Sequence, residues 1–205
     1  MGKEATGSVA KIIDGKAIAR SIRAGLAARV DELTRTGAAP PGLATVLVGE
    51  DPASRVYVGR KHREAAEIGM KTESAQLPAA ATMAELLSCI EGYNRRTDVD
   101  GILVQLPLPC GLDADLAVAA VNPAKDVDGL HPLNQGALFT GRPGIRPCTP
   151  MSCMRLIDST GVDPEGLHAV VIGRSELVGK PVAMLLLERN ATVAMCHSRT
   201  SDLAA

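Results

Sequence analysis

The sequence predicts an α/β protein, a mainly parallel sheet with helices on both faces followed by the opening of a second α/β unit. Short apolar runs alternate with longer segments whose apolar residues recur at helical spacing, and glycine or proline punctuates each change. With 46% hydrophobic residues over 205 positions, the chain can bury an adequate core.

Taken in order, Val9–Ile13 reads as a short strand and Asp14 opens a helix in which Ile18, Ile22, Leu26, Val30 and Leu33 form one stripe up to Gly37. The run Leu43–Val48 is a strand that ends at Gly49-Glu50-Asp51-Pro52, and Pro52 suits the first turn of a helix reaching Gly69. Met70–Leu77 reads as a third strand. Thr82 then opens a helix with Glu85 at capping-box spacing, ending near Thr97. Gly101–Leu106 is a compact strand stopped by Pro107 and Pro109, which cannot both continue a ladder. From Asn122 to Pro150 the chain reads as irregular, with proline and glycine at their densest. We place a domain boundary at its end, giving domains 1–150 and 151–205. Beyond it come a linking helix, Met151–Ser159, a strand, His168–Ile172, a turn, a helix, Pro181–Arg189, and a strand, Ala191–Cys196. This is the opening βαβ unit of a nucleotide-binding fold, two strands where a doubly wound domain has about six, so the second domain is expected to be incomplete.

Composition narrows the partners. Twenty-two basic and 23 acidic residues give a net charge of -1, no electrostatic reason to expect nucleic acid or an anionic membrane. The five cysteines form no CxxC pair, and the four histidines show no ligand spacing, so neither a disulfide framework nor a metal site is expected. No apolar stretch approaches a membrane span and the N-terminus lacks the order of a signal peptide, which points to the cytoplasm.

Six positions invite chemistry in the first domain. On the Pro52–Gly69 helix, Ser54, Tyr57 and Lys61 share a sector with Val58, Ala65 and Ile68, while Arg60, Arg63 and Glu67 lie opposite. Burial favours the neutral form of an amine, so an inward lysine is a candidate for proton exchange near neutral pH. The alternative is that Lys61 snorkels past the apolar stripe to solvent. Gln105, near the carboxyl end of its strand, either orients Lys61 or a substrate, or satisfies backbone groups loosened by the prolines. In KDVDG, Asp126 and Asp128 precede Gly129. A carboxylate there can accept hydrogen bonds from an amino-substituted heterocycle, or the pair can simply shape a turn.

In the second unit the turn reads GRSELVG, with Gly173 for the sharp bend and Gly179 for close helix packing. The following strand ends in Cys196-His197-Ser198-Arg199-Thr200, where an NAD site would carry an acid. A hydroxyl and guanidinium there, with Arg174 nearby, favour the extra phosphate of NADP; a solvated strand end is the alternative.

SRVYVGRK (54–61), GILVQLPLP (101–109), KDVDGLHPLN (125–134), PCTP (147–150) and GRSELVGKP (173–181) together resemble the bifunctional methylenetetrahydrofolate dehydrogenase/cyclohydrolase family. The resemblance implies a three-layer α/β folate-binding domain followed by a Rossmann-like NADP-binding domain, here incomplete. It implies NADP-dependent oxidation of 5,10-methylenetetrahydrofolate, hydrolysis of the product to 10-formyltetrahydrofolate, and homodimers. Lys61 matches the catalytic lysine, Gln105 the glutamine that positions it, Tyr57 the tyrosine that packs on folate, and Asp128 the pterin-binding aspartate. Ser54 lies beside the lysine, and Val104 and Leu106 flank Gln105 in the substrate site. Gly173, Arg174, Ser175, Ser198 and Arg199 match cofactor positions. The family continues beyond the point corresponding to Ala205, which leaves open a role for this chain as a folate-binding or pairing module alone.

Overall fold

The computed structural model describes residues 10–203. Residues 10–14 are irregular and Ile12 is 89% exposed, so the strand expected over Val9–Ile13 is not formed in its described part; Val9 itself lies outside the described residues. An apolar run becomes a strand only where a neighbouring ladder accepts it. Helix α1, Gly15–Arg35, begins where Asp14 accepts the Ala17 N–H at 2.9 Å. Of its apolar stripe only Val30 is buried.

Strand β1, Gly42–Val48, is the centre of a parallel sheet ordered β2-β1-β3, with β2 at Lys71–Leu77 and β3 at Gly101–Val104. Helix α2, Pro52–Glu67, follows β1 with Pro52 in its first turn and Asp51 as N-cap; α3, Met83–Arg95, carries the full Thr82–Glu85 capping box. The two helices take opposite faces, as the period of two along a strand requires. Ala44, Val46 and Val48 pack with Leu86, Ile90 and Tyr93 of α3, whereas Thr45, between them, meets His62 of α2. The result is three layers.

The segment expected to be irregular contains a helix after all. Short α4, Ala114–Ala119, precedes it, and α5, Pro132–Phe139, lies within it. Proline at the first position and the His131 ring, which accepts the Leu133 N–H at 3.0 Å, start α5 inside a composition that reads as loop. Between them, Lys125 donates to the last carbonyls of α3, at 3.3 Å to Tyr93, 2.9 Å to Asn94 and 2.6 Å to Arg96. A cation there complements the helix dipole and satisfies acceptors that the helix itself cannot.

Helix α6, Cys148–Asp158, runs across residue 150 into the second unit, where β4, His168–Ile172, pairs in parallel with β5, Thr192–Cys196, through α7, Gly179–Glu188. Ala169 and Val171 face a core of Met154, Leu185, Leu186 and Ala191, while Val170 and Ile172 point away and are exposed. No described helix is long and apolar enough to cross a membrane.

Replacing Lys125 by Met keeps the stem and removes the charge, leaving three carbonyls without their donor. Urea unfolding should show a loss of about 2 kcal/mol.

Candidate active site

The pocket sits beyond the carboxyl ends of β1 and β3, the place where open parallel sheets collect ligands. Two hydrogen bonds bring its parts there. The Gln105 N–H donates to the Val46 carbonyl at 2.9 Å, carrying the β3 ladder one residue past the strand. On the other edge, Ile102 N–H donates to the Lys125 carbonyl at 2.7 Å, and Ile102 bridges Asp126 in parallel. KDVDG therefore runs alongside β3, and with a period of two Asp126 and Asp128 both lie beside it.

The two aspartates then separate in role. Asp126 is buried, and its Oδ2 accepts the His131 N–H at 2.8 Å and the Asn134 amide at 2.9 Å. His131 is held in turn: Nδ1 accepts from Leu133, which leaves Nε2 as the donor to the Ala119 carbonyl at 3.2 Å. Asp126 thus anchors the turn. Asp128, two residues on, opens into a pocket of about 210 Å³ with Lys61, Gln105, Leu106, Leu130, Pro147, Cys148, Thr149 and Leu177. Gly129 has φ 66°, and a Cβ there would stand 2.6 Å from the Pro147 nitrogen, so only glycine lets the Pro147–Thr149 segment close the pocket wall.

Lys61 is half-buried, and its Nζ donates to Gln105 Oε1 at 3.4 Å; the Gln105 amide nitrogen donates to the Leu106 carbonyl at 2.6 Å, which fixes which end faces the lysine. Burial raises the carboxyl of Asp128 above its ordinary value; the nearby charge of Lys61 opposes this, and Asp126 adds to it. The Cys148 thiol donates to the Val127 carbonyl at 3.0 Å. Part of that residue faces solvent, but enclosure of the thiol, with the charge of Asp128 next, pushes its pKa up, so it remains a protonated wall group rather than a nucleophile.

Ser54 is buried about two turns from Lys61, outside the pocket lining, as is Val104 within β3. Tyr57 departs from expectation: it is 60% exposed rather than inward. The buried residues of α2 are Ser54, Val58 and Ala65, and Tyr57 stands roughly 80° round the helix from their mean direction. It lies outside the pocket lining, about one turn before Lys61. On the other flank of the same sector, His62 turns inward to Thr45, a contact that its angle on the helix would have revealed. Pro147, Cys148 and Thr149 belong to a motif noted in the sequence without an assigned role, and Leu177 reaches the pocket from the GRSELVG turn; only tertiary contact identifies these four.

In the second unit the ends of β4 and β5 are tied by the Gly173 N–H donating to the Cys196 carbonyl at 2.8 Å. Gly173 has φ 137° and open space where a Cβ would lie, while a Cβ on Gly179 would stand 2.5 Å from the Gly173 oxygen. Arg174, Ser175, Ser198 and Arg199 are exposed around this junction, with Ser175 Oγ accepting the Val178 N–H at 3.2 Å and the Gly179 N–H at 3.3 Å. Among the described residues no group of three or more His, Cys, Asp or Glu gathers as a metal site.

Residues 13–128 match the tetrahydrofolate dehydrogenase/cyclohydrolase catalytic domain, and residues 147–205 match the NAD(P)-binding domain of the same proteins. The chain belongs to this family. It is 55% identical over 195 residues to bifunctional protein FolD 1 of Rhizorhabdus wittichii, covering 95% of this chain and 66% of that one. Bifunctional protein FolD of Acidiphilium cryptum is 53% identical over 196 residues, covering 96% and 69%. Among solved structures, the FolD dehydrogenase/cyclohydrolase of Campylobacter jejuni superposes with a TM-score of 0.91 at 42% identity, covering 94% of this chain and 68% of that one. The Trypanosoma brucei enzyme, solved with NADP cofactor and inhibitor, gives 0.88 at 38% identity, covering 94% and 66%. The chain thus spans about two thirds of the length of these dehydrogenase/cyclohydrolase relatives.

Because its folded carboxyl lies above the ordinary value of 3.8, Asp128 binds protons more tightly in the native state than in the unfolded one. Stability contributed by this group therefore falls as pH rises from that value through the raised one. Asp128→Asn should abolish this part of the slope and unfold at a higher temperature than the parent at pH 7, measured by scanning calorimetry from pH 4 to 7.

Proposed function

We propose that the protein oxidises 5,10-methylenetetrahydrofolate to the 5,10-methenyl form with NADP and hydrolyses that product to 10-formyltetrahydrofolate, as a step of one-carbon metabolism. The observation that carries this reading is the convergence of Lys61, Gln105 and Asp128 on one pocket at the sheet's carboxyl edge. Asp128 accepts hydrogen bonds from the amino-pterin ring, a role suited to a carboxylate in a partly closed, low-dielectric wall. Tyr57, exposed about one turn before Lys61, packs on the folate. Lys61, held by Gln105, faces the one-carbon unit, assists water attack on the methenyl carbon and supports the hydride step. Water attack forms a C–O bond and the C–N5 bond breaks; of water's two protons one goes to N5 and the other to solvent, which discharges the methenyl cation. Leu106 lines this end of the site, and the buried Ser54 and Val104, outside the lining, back it from α2 and β3.

The cofactor junction fits a dinucleotide carrying a 2′-phosphate. The open glycine at Gly173 admits a close pyrophosphate, Ser175 orders the start of α7, and Arg174, Ser198 and Arg199 present charge and hydroxyl groups suited to phosphate. When bound, NADP supplies the hydride acceptor. We divide the roles as folate binding by residues 1–150 and the first part of cofactor binding by 151–205, in a cytoplasmic homodimer whose mass sedimentation would measure.

Lys61→Ala should lower the rate of methenyltetrahydrofolate hydrolysis about a thousandfold. Asp128→Ala should weaken tetrahydrofolate binding about thirtyfold in titration calorimetry, the cost of one charge-assisted hydrogen bond. Full activity in the first variant overturns the reading.

A further inference from the structure

Strand β1 presents a buried hydroxyl to α2. Thr45 has no solvent exposure, and its Oγ1 lies 2.9 Å from His62 Nε2 and 3.1 Å from Ser74 Oγ on the neighbouring strand, with which it is in register. His62 directly follows Lys61. The next residue of β1, Val46, holds the backbone of Gln105 through its carbonyl at 2.9 Å. Two consecutive residues of one central strand therefore fix both members of the Lys61–Gln105 pair, one through a side chain and the other through the backbone. The pair itself closes at 3.4 Å, the long limit of a hydrogen bond, so a shift of α2 by a few tenths of an ångström breaks it. Besides this contact α2 buries Ser54, Val58 and Ala65, all small or β-branched, and pairs Glu64 with Arg23 of α1 at 3.6 Å.

We propose that Thr45 and His62 are positioning residues, which set the placement of α2 on β1 and through it the reach of Lys61 to Gln105. This rests on the assignment of Lys61 as the lysine that acts on the one-carbon unit. Neither residue lines the pocket, and Thr45 is fully buried between β1, α2 and β2.

The test uses Thr45→Val, which keeps the volume and removes the hydroxyl, with Thr45→Ser as the conservative rescue, and His62→Leu with His62→Gln as a second pair. One readout is the rate at which an amine-acylating reagent labels Lys61, followed by peptide mass. Thr45→Val should raise that rate severalfold and lower the turnover of methenyltetrahydrofolate about tenfold, with tetrahydrofolate affinity held within about twofold. Thr45→Ser should restore both. In a Gln105→Ala background, Thr45→Val should add nothing, because both changes break one contact. Parental labelling in folded Thr45→Val, or an effect that multiplies with Gln105→Ala, overturns the proposal; where Thr45→Val fails to fold, the His62 pair decides by the same criteria. Labelling is read without catalysis, so an active Lys61→Ala would sink the functional assignment while leaving this result to stand separately.

Discussion

The hydrogen bond from Ile102 N–H to the Lys125 carbonyl is the constraint on which the site depends. It adds a rung to the edge of β3 without adding a strand, and so converts a turn-rich segment into a wall of the pocket. Two neighbouring groups reinforce it. The Lys125 side chain closes the end of α3, and the Asp126 carboxylate binds the start of α5. A carboxylate buried to that degree would be costly alone, but two donors and the adjacent amide framework satisfy it. One pentapeptide thus joins the sheet, a helix end and a helix start, and only its fourth residue, Asp128, remains free to face the pocket.

That division has an electrostatic consequence. Burial disfavours the ionised form of Asp128, and Lys61 partly compensates across the pocket. A ligand that brings N–H donors supplies the hydrogen bonds that the enclosed carboxylate lacks, so binding energy is concentrated on groups able to donate. Cys148 and Thr149 frame the same volume without competing for the proton, since the thiol is already committed to the Val127 carbonyl.

Local signals were legible in the sequence; tertiary ones were not. The capping box at Thr82, Pro52 at the head of α2 and the prolines after β3 act within a few residues, and the structure places each where its chemistry requires. The apolar run before Asp14 shows the limit, because strand formation is a property of a pair. Helix α5 was hidden for the opposite reason: its start depends on His131 folding back on Leu133, which composition does not display. The helix sector and strand end made Lys61 and Gln105 candidates, with a snorkelling lysine and a backbone-satisfying glutamine as alternatives, and the family resemblance paired them; the same sector misplaced Tyr57 because its centre is set by what β1 offers. That offer is Thr45, a polar residue in an otherwise apolar strand, and it draws His62 inward.

The ion pair between Arg146 Nη2 and Glu188 Oε1, at 2.6 Å, links the pocket wall to the end of α7. Arg146 directly precedes Pro147 and Cys148, so movement of α7 is transmitted to the segment that packs over Gly129. The other terminal nitrogen, Nη1, is buried without a hydrogen-bond partner, which makes this guanidinium more expensive to enclose than a surface arginine. An enclosed, incompletely satisfied cation gains most from a close carboxylate, and Glu188 provides one. Leu177 reaches the pocket from the turn that opens α7, while Glu188 ends that helix. Both ends of α7 are therefore coupled to the Lys61 pocket, one by an apolar contact and one by charge. The Lys61 pocket and the β4–β5 junction are held in relation by the same ten-residue helix.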